Sequence, residues 1–242
     1  MARRQSPPKK PGLFVTGTGT AVGKTYVAAM MARDLVAAGH TVGVYKPVAS
    51  GCRQEGQTLA SDDAVALWEA AGRPGMLDAV CPQRFAAPLA PHLAAKAEGR
   101  QIDDELLRAG LDYWLDRSEI VVVEGAGGLL SPITEEEYVA DLAFDFGWPL
   151  LVVTPNRLGT IHQTLATLVV AATFREGLEV AGVILNQPCG APADESGVSN
   201  YEELCRRCVP PMLANVAWQA AGFEPRVDWW DLAGRRVGIA HH

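Results

Sequence analysis

Cysteine is scarce in this chain, and its five residues, Cys52, Cys81, Cys189, Cys205 and Cys208, are odd in number and scattered. In 242 residues with 48% hydrophobic content, that usage excludes a disulfide framework. Cys205 and Cys208 form a C-x-x-C pair, but zinc would need two more close ligands and the only nearby thiol is Cys189. A redox pair would sit behind a strand at a helix start, whereas this one falls in the helical-looking stretch Tyr201–Arg207. Long apolar runs are missing as well: nowhere do about eighteen apolar residues follow one another, so a membrane-spanning helix is not expected. Nor is there an excess of positive charge. A net charge of -7 and a pI near 5.3 argue against a protein that grips nucleic acid through its phosphates. The one basic cluster is an arm over residues 1–11, with Arg3, Arg4, Lys9 and Lys10 among Pro7, Pro8 and Pro11. No apolar segment follows those charges, so the arm reads as solvated and disordered rather than as a secretory leader. The expectation is a soluble chain working in the cytoplasm.

What is present is an alternation of strand-length apolar runs and amphipathic stretches. Strands are predicted at Leu13–Thr16, Thr41–Tyr45, Ile120–Glu124, Leu150–Thr154, Val180–Asn186 and Met212–Val216. Continuous β-branched and aliphatic runs are how strands covered on both faces read. A helix is predicted from Lys24, carrying a stripe of Val27, Met31 and Leu35 and stopping at Gly39. Further helices are predicted at Asp62–Ala71, Asp104–Arg117, Val139–Phe146, Thr160–Arg175 and Tyr201–Arg207. Such alternation implies one α/β domain over 12–242, a mostly parallel sheet with helices on both faces, and ligands at the carboxyl ends of the strands.

Gly17-Thr18-Gly19-Thr20-Ala21-Val22-Gly23-Lys24-Thr25 lies between the first strand and the first helix. Glycines there let successive N–H groups turn inward, and the helix N-terminus adds partial positive charge. Lys24 would lie against the β- and γ-phosphates of a nucleotide, and the Thr25 hydroxyl would take a place on magnesium. Five residues separate Gly17 from Gly23, one more than the usual motif, but Gly-Lys-Thr stands in the right strand–loop–helix setting. The fold expected is therefore that of a P-loop NTPase. No lysine stands between Thr16 and Gly23, which counts against partitioning and septum-site ATPases, whose loop carries one.

The second strand runs into Tyr45-Lys46-Pro47-Val48-Ala49-Ser50-Gly51. Pro47 lacks an N–H, so pairing stops there and the chain turns out over the carboxyl edge, with Lys46 near the phosphate loop. A fixed ammonium at that point could hold a carboxylate or a phosphoryl group, or could simply be a solvated lysine at a strand end. Gly51 permits a tight turn that leaves the Ser50 hydroxyl open to a small anion. Glu124 ends the strand Val121-Val122-Val123, where P-loop enzymes place a second metal carboxylate, and the glycines after it let backbone pass close to a ligand. Ser61, Asp62 and Asp63 could cap a helix and favour its dipole without any metal.

These runs together resemble the dethiobiotin synthetase family. The loop matches its Thr-Gly-Thr-x-Thr-x-Val-Gly-Lys-Thr, and Tyr-Lys-Pro-Val-Ala-Ser-Gly follows about twenty residues later. Ser61-Asp62-Asp63-Ala64 resembles the family's Ser-Asp-Ala, Ala90-Pro91-His92 its Ser-Pro-His, and Val123 to Gly128 its Val-Glu-Gly-Ala-Gly-Gly. Leu158-Gly159-Thr160-Ile161-His162 is similar to its Leu-Gly-x-Ile-Asn, and Asn186 falls where the family has an adenine-contacting asparagine. The resemblance covers residues 12–188, in the expected order.

It implies an ATP- and magnesium-dependent ligase acting on 7,8-diaminononanoate and carbon dioxide in biotin biosynthesis, by way of a carbamate and a carbamic–phosphoric anhydride. Lys46, Lys24, Thr20 and Ser50 would be catalytic, and Thr25, Asp63 and Glu124 would hold magnesium. ATP would lie on Ala21, Val22, Gly23, Lys24, Thr25 and Tyr26, and on Asp63, Glu124, Gly125, Ala126, Gly127 and Asn186. The amides of Leu158, Gly159 and Thr160 would offer N–H groups to a distant carboxylate in the partner subunit's site, which implies a homodimer without nucleic-acid or membrane partners. Where the family loop carries acidic residues this chain has Gly19 and Ala21. Where the family shows Ile-Pro near its last strand this chain has Val216-Ala217-Trp218, and Glu224 aligns loosely with a ribose-contacting glutamate. His92 reads as a satisfied structural histidine, and Trp229 and Trp230 as packing or disordered residues. Two other functions fit the loop: a related P-loop ligase or amidase with another small substrate, and a nucleotide switch that binds a macromolecule.

Overall fold

The computed structural model describes residues 10–190 and 194–234. In chain order the strands are β1 (Gly12–Gly17), β2 (Val42–Tyr45), β3 (Val48–Ala49), β4 (Arg53–Glu55), β5 (Thr58–Ala60), β6 (Gln83–Arg84), β7 (Ile120–Gly128), β8 (Leu150–Pro155), β9 (Val180–Asn186) and β10 (Met212–Val216). The helices are α1 (Lys24–Ala37), α2 (Asp62–Ala70), α3 (Leu77–Val80), α4 (Pro91–Ala97), α5 (Asp104–Arg117), α6 (Val139–Phe146), α7 (Thr160–Thr173), α8 (Asn200–Arg207) and α9 (Trp229–Gly234).

Six strands form one sheet in the order β10-β9-β8-β1-β7-β2, and every neighbouring pair is parallel. Along β1 and β8 each residue is buried. Since successive side chains point to opposite faces, an unbroken buried run means that both faces are covered. Each strand is joined to the next by a helical crossover, so all the carboxyl ends fall on one edge. That edge carries the phosphate loop after β1, Lys46 after β2, Glu124 within β7 and Asn186 at the end of β9.

Lys46 is placed by its predecessor. The Tyr45 ring is buried, and its hydroxyl donates to the carbonyls of Leu106 and Leu107 on α5 at 3.0 and 3.1 Å. Gly110 permits this, because a Cβ there would come within 2.3 Å of the Tyr45 hydroxyl. After Pro47 the chain leaves the main sheet, and Val48–Ala49 pair with Gln83–Arg84 instead. Ser61 then caps α2, its hydroxyl accepting from the Ala64 N–H at 3.3 Å, which sets Asp63 in the first turn.

Several bounds differ from the sequence expectation. β7 runs on to Gly128, four residues beyond Glu124, because the glycine-rich run keeps its pairing with β1 through Gly17 and Gly128. α7 stops at Thr173, and Phe174 is extended with Arg175 at a φ of 53°. The hairpin of β4 and β5 and the short helices α3, α4 and α9 carry little apolar periodicity and were not expected. Of the basic arm, Arg3, Arg4 and Lys9 lie outside the described residues. Lys10, expected to be solvated, is docked: its ammonium donates to the Ser118 carbonyl at 2.8 Å, and its own carbonyl accepts from the Trp148 indole at 3.0 Å. Cys205 lies within α8 and Cys208 caps its C-terminal end, so the pair is not at a helix start. Among the described residues no helix is long and apolar enough to cross a membrane.

Candidate active site

A cavity of about 950 Å³ opens at the carboxyl edge of the sheet. At one end stands the phosphate loop. Gly23, the cap of α1, has a φ of 93°, a left-handed conformation that glycine adopts without strain. A side chain there would also collide with the Asn186 amide, 2.1 Å from the ideal Cβ. The Lys24 ammonium donates to the Gly19 carbonyl at 3.1 Å, so the lysine lies folded over the loop. Burial lowers its pKa below the ordinary lysine value, the nearby Glu124 carboxylate opposes that shift, and the Lys46 charge adds to it. A hydroxyl contact of 3.2 Å between Thr18 and Thr154 ties the loop to β8.

Beside the loop lies a tight ionic cluster. Lys46 donates to Glu124 Oε1 at 2.7 Å and reaches Asp63 Oδ2 at 2.9 Å. Thr25 donates its hydroxyl to the same Glu124 oxygen at 2.9 Å. Burial works against the Lys46 charge, but Glu124 and Asp63 outweigh it and raise its pKa above the ordinary lysine value. The carboxylates thus favour the protonated, cationic form of Lys46. Burial alone would raise the Asp63 pKa; the Lys46 ammonium and hydrogen bonds from Lys46 and Thr25 bring it below the ordinary value. Glu124 is 1% exposed, and its Oε2 is buried without a hydrogen-bond partner among the described residues. A carboxylate oxygen left so is costly unless a cation completes it. Magnesium bound beside phosphates uses one or two carboxylates and a hydroxyl, all oxygen donors, and Glu124, Asp63 and Thr25 fit that set.

The end of the cavity at the loop is walled as well by the ends of β9 and β10. Asn186 is buried, and its amide NH₂ donates to the Val22 carbonyl of the phosphate loop at 2.9 Å. With that donor fixed, its Oδ1 is left as an acceptor without a partner among the described residues. Gln187, Pro188, Trp218 and Gln219 line the same end. None of these four was expected. They follow strand ends and carry no periodicity, although Trp218 stood out as a departure from the family pattern.

A family model described as an AAA domain matches residues 11–222. An ATP-dependent dethiobiotin synthetase of Rhodopirellula baltica is 46% identical, over 84% of this chain and 82% of that protein. One from Anaeromyxobacter dehalogenans is 44% identical, over 86% and 90%, and one from Pseudescherichia vulneris 34% identical, over 91% of each. The chain belongs to the dethiobiotin synthetase family. Among solved structures, a ParA family ATPase from Chlorobium tepidum aligns with a TM-score of 0.54 at 15% identity, over 87% of this chain and 85% of that one. A putative plasmid partition protein from Borrelia burgdorferi aligns at 0.51 and 12%, over 93% and 95%. At such identities they show the fold alone, which is that of P-loop NTPases.

Most residues that the resemblance to this family singled out converge here. Thr20, Ala21, Gly23, Lys24, Thr25, Tyr26, Lys46, Ser50, Asp63, Glu124, Ala126, Gly127 and Asn186 all line the cavity. Two do not. The Val22 side chain is buried beneath the loop against Gly17, which leaves only its backbone toward the cavity side. Gly125 faces inward instead, where a Cβ would come within 2.9 Å of Val139 and 3.0 Å of Phe14, so packing demands the glycine. The amides before α7 are less free than expected: Leu158 N–H donates to the Asp194 carboxylate at 2.8 Å and Thr160 N–H to the Arg157 carbonyl at 3.1 Å. His92 is not satisfied either, since its buried Nδ1 has no partner among the described residues. Trp229 and Trp230 do pack, the first edge-on against Phe223 and the second stacked on His40.

Proposed function

We propose that the chain makes dethiobiotin by closing 7,8-diaminononanoate and carbon dioxide into a cyclic urea at the expense of ATP, as the names of its relatives suggest. The observation that carries this reading is the lysine clamped between two carboxylates, Lys46 with Glu124 and Asp63, beside a phosphate loop and on the wall of one cavity.

One amine takes up carbon dioxide, forming an N–C bond and losing a proton. The carbamate oxygen then attacks the γ-phosphorus as the bond to ADP breaks. The second amine attacks the carbamoyl carbon, and phosphate leaves with the oxygen it had gained. Negative charge moves across a short path in these steps, and a preorganised cation stabilises it without reorganising. Lys46 supplies that charge because its carboxylate neighbours keep it protonated. Lys24 lies across the loop and can turn from the Gly19 carbonyl to the triphosphate. The Thr20 and Ser50 hydroxyls line the wall between and would orient the carbamate. Thr25, Asp63 and Glu124 would hold magnesium, which when bound draws charge from the phosphate oxygens.

The active form we propose is a cytoplasmic homodimer, a reading supported by the exposed apolar Leu158 and Val169 at and along α7. ADP release from MgATP and bicarbonate should depend on 7,8-diaminononanoate and yield a cyclic urea seen by mass spectrometry. Turnover indifferent to the diamine would sink the assignment.

A further inference from the structure

We infer that the Ser131 hydroxyl is a further hydrogen-bond donor of the active site, serving an anionic oxygen of the group that lies over the phosphate loop. It rests on the ligase reading above and adds a contact to it. Ser131 lines the cavity and is partly exposed. Its Oγ accepts from the Gly128 N–H at 2.9 Å. A serine hydroxyl has one proton to give and two lone pairs to offer. The Gly128 amide occupies a lone pair and leaves the proton unspent, with no acceptor among the described residues. Thr25 differs in this respect, since its proton already goes to Glu124.

The backbone around Ser131 fixes its place. Its N–H donates to the Gly128 carbonyl at 3.0 Å, and its own carbonyl accepts from the Val139 N–H, at the start of α6, at 3.0 Å. Gly127 has a φ of 79°, and an ideal Cβ there would fall 2.3 Å from Ser131 Oγ, so glycine is what lets the hydroxyl come down onto the strand. The same point lies 3.9 Å from the Thr20 hydroxyl oxygen of the phosphate loop. One residue on, the Cβ position of Gly128 lies 3.1 Å from the Gly17 carbonyl and 3.7 Å from the Gly19 nitrogen. The end of β7 therefore abuts the loop, and Ser131 and Thr20 bring two hydroxyls to one stretch of the cavity wall. A neutral donor held there adds to the loop amides without any rearrangement as charge moves. Two oxygens meet that chemistry, one on the γ-phosphate and one on the carbamate.

The test compares, in the full chain, Ser131→Ala, which removes the donor, with Ser131→Thr, which keeps it. Calorimetric binding of β,γ-imido-ATP with magnesium, without diamine, reads the phosphate oxygen. Steady-state turnover with MgATP, bicarbonate and 7,8-diaminononanoate reads the carbamate oxygen. Loss of a hydrogen bond to a charged group in Ser131→Ala should cost about ten- to a hundredfold in one of the two. A fall in nucleotide affinity assigns the donor to the γ-phosphate. Unchanged nucleotide affinity with a lower kcat, or a higher KM for the diamine, assigns it to the carbamate. Ser131→Thr should stay within about threefold of the parent in both. Parent-like affinity and turnover per folded molecule in Ser131→Ala would overturn the inference, even if its Tm falls because the Gly128 N–H has lost its partner. So would Ser131→Thr as impaired as Ser131→Ala, which would mark packing rather than a hydroxyl. Parent turnover indifferent to the diamine would instead end the ligase assignment, and the calorimetric comparison would still decide on Ser131.

Discussion

Of two buried charge clusters among the described residues, those around Arg108 and Lys46, only the second has an unfinished partner. In the first, Arg108 on α5 engages all three guanidinium nitrogens: it donates to Asp145 Oδ2 at 2.8 and 2.6 Å, to Glu137 at 3.0 and 3.1 Å, and to the Asp104 carbonyl at 3.3 Å. Burial opposes its charge, but Asp145 and Glu137 outweigh that and raise its pKa. None of the three charged side chains lines the cavity. In the second, Lys46 serves Glu124 and Asp63, yet Glu124 Oε2 is left without a partner among the described residues, and all three line the cavity. The difference separates charge that holds elements together from charge that waits for a ligand. A saturated network contributes geometry; an orphaned carboxylate oxygen on a residue that lines a cavity marks a candidate place for a cation.

The comparison breaks most visibly at Lys46. Lys46→Met should lower kcat by about a thousandfold, because a fixed cation is lost where charge develops. It should also destabilise the fold, since Glu124 is then buried without compensation. Adding Glu124→Gln should restore much of the thermal stability and none of the activity. Recovery of turnover in that double variant would show that the cluster is structural after all. Arg108→Met should do the reverse: a loss of about 3–5 kcal/mol in stability from stranding Asp145 and Glu137, with kcat per folded molecule nearly unchanged. Denaturant titration and steady-state rates on the soluble fraction would check it, and a fall in kcat comparable to that of Lys46→Met would erase the distinction.

The contrast also explains what could be read in advance. Val121-Val122-Val123 and Leu150-Leu151-Val152-Val153 announce buried strands because they are apolar without alternation, and Gly-Lys-Thr after a strand announces a phosphate site. Lys46 was placed by Pro47, whose missing N–H ends the pairing. Pairing of Lys46 with Glu124 and Asp63 was not legible, since it depends on three crossovers bringing distant strand ends to one edge. Trp218 carried no physical signal: a lone aromatic after a short strand reads as packing until its neighbours are seen. Gly125 shows a second demand on a glycine that the sequence did not reveal. A glycine next to Glu124 suggested approach to a ligand, whereas Phe14 and Val139 are what fill the space.

A smaller version of the same contrast holds between the two site lysines. Carboxylates raise the Lys46 pKa, whereas burial lowers that of Lys24. In the free protein Lys24 therefore loses its proton at a lower pH than an ordinary lysine. Its charged form costs stability in full below the folded pKa, and that cost fades as pH rises toward the unfolded value. A bound triphosphate supplies the missing anionic partner and moves the pKa back up. Between the free and bound values the nucleotide must then carry a proton onto the protein. Binding of β,γ-imido-ATP, measured in two buffers of different ionisation enthalpy, should show a proton uptake that is larger at alkaline than at neutral pH. Uptake equal at the two pH values, or proton release at the higher one, would mean that Lys24 has its anionic partner before the nucleotide arrives.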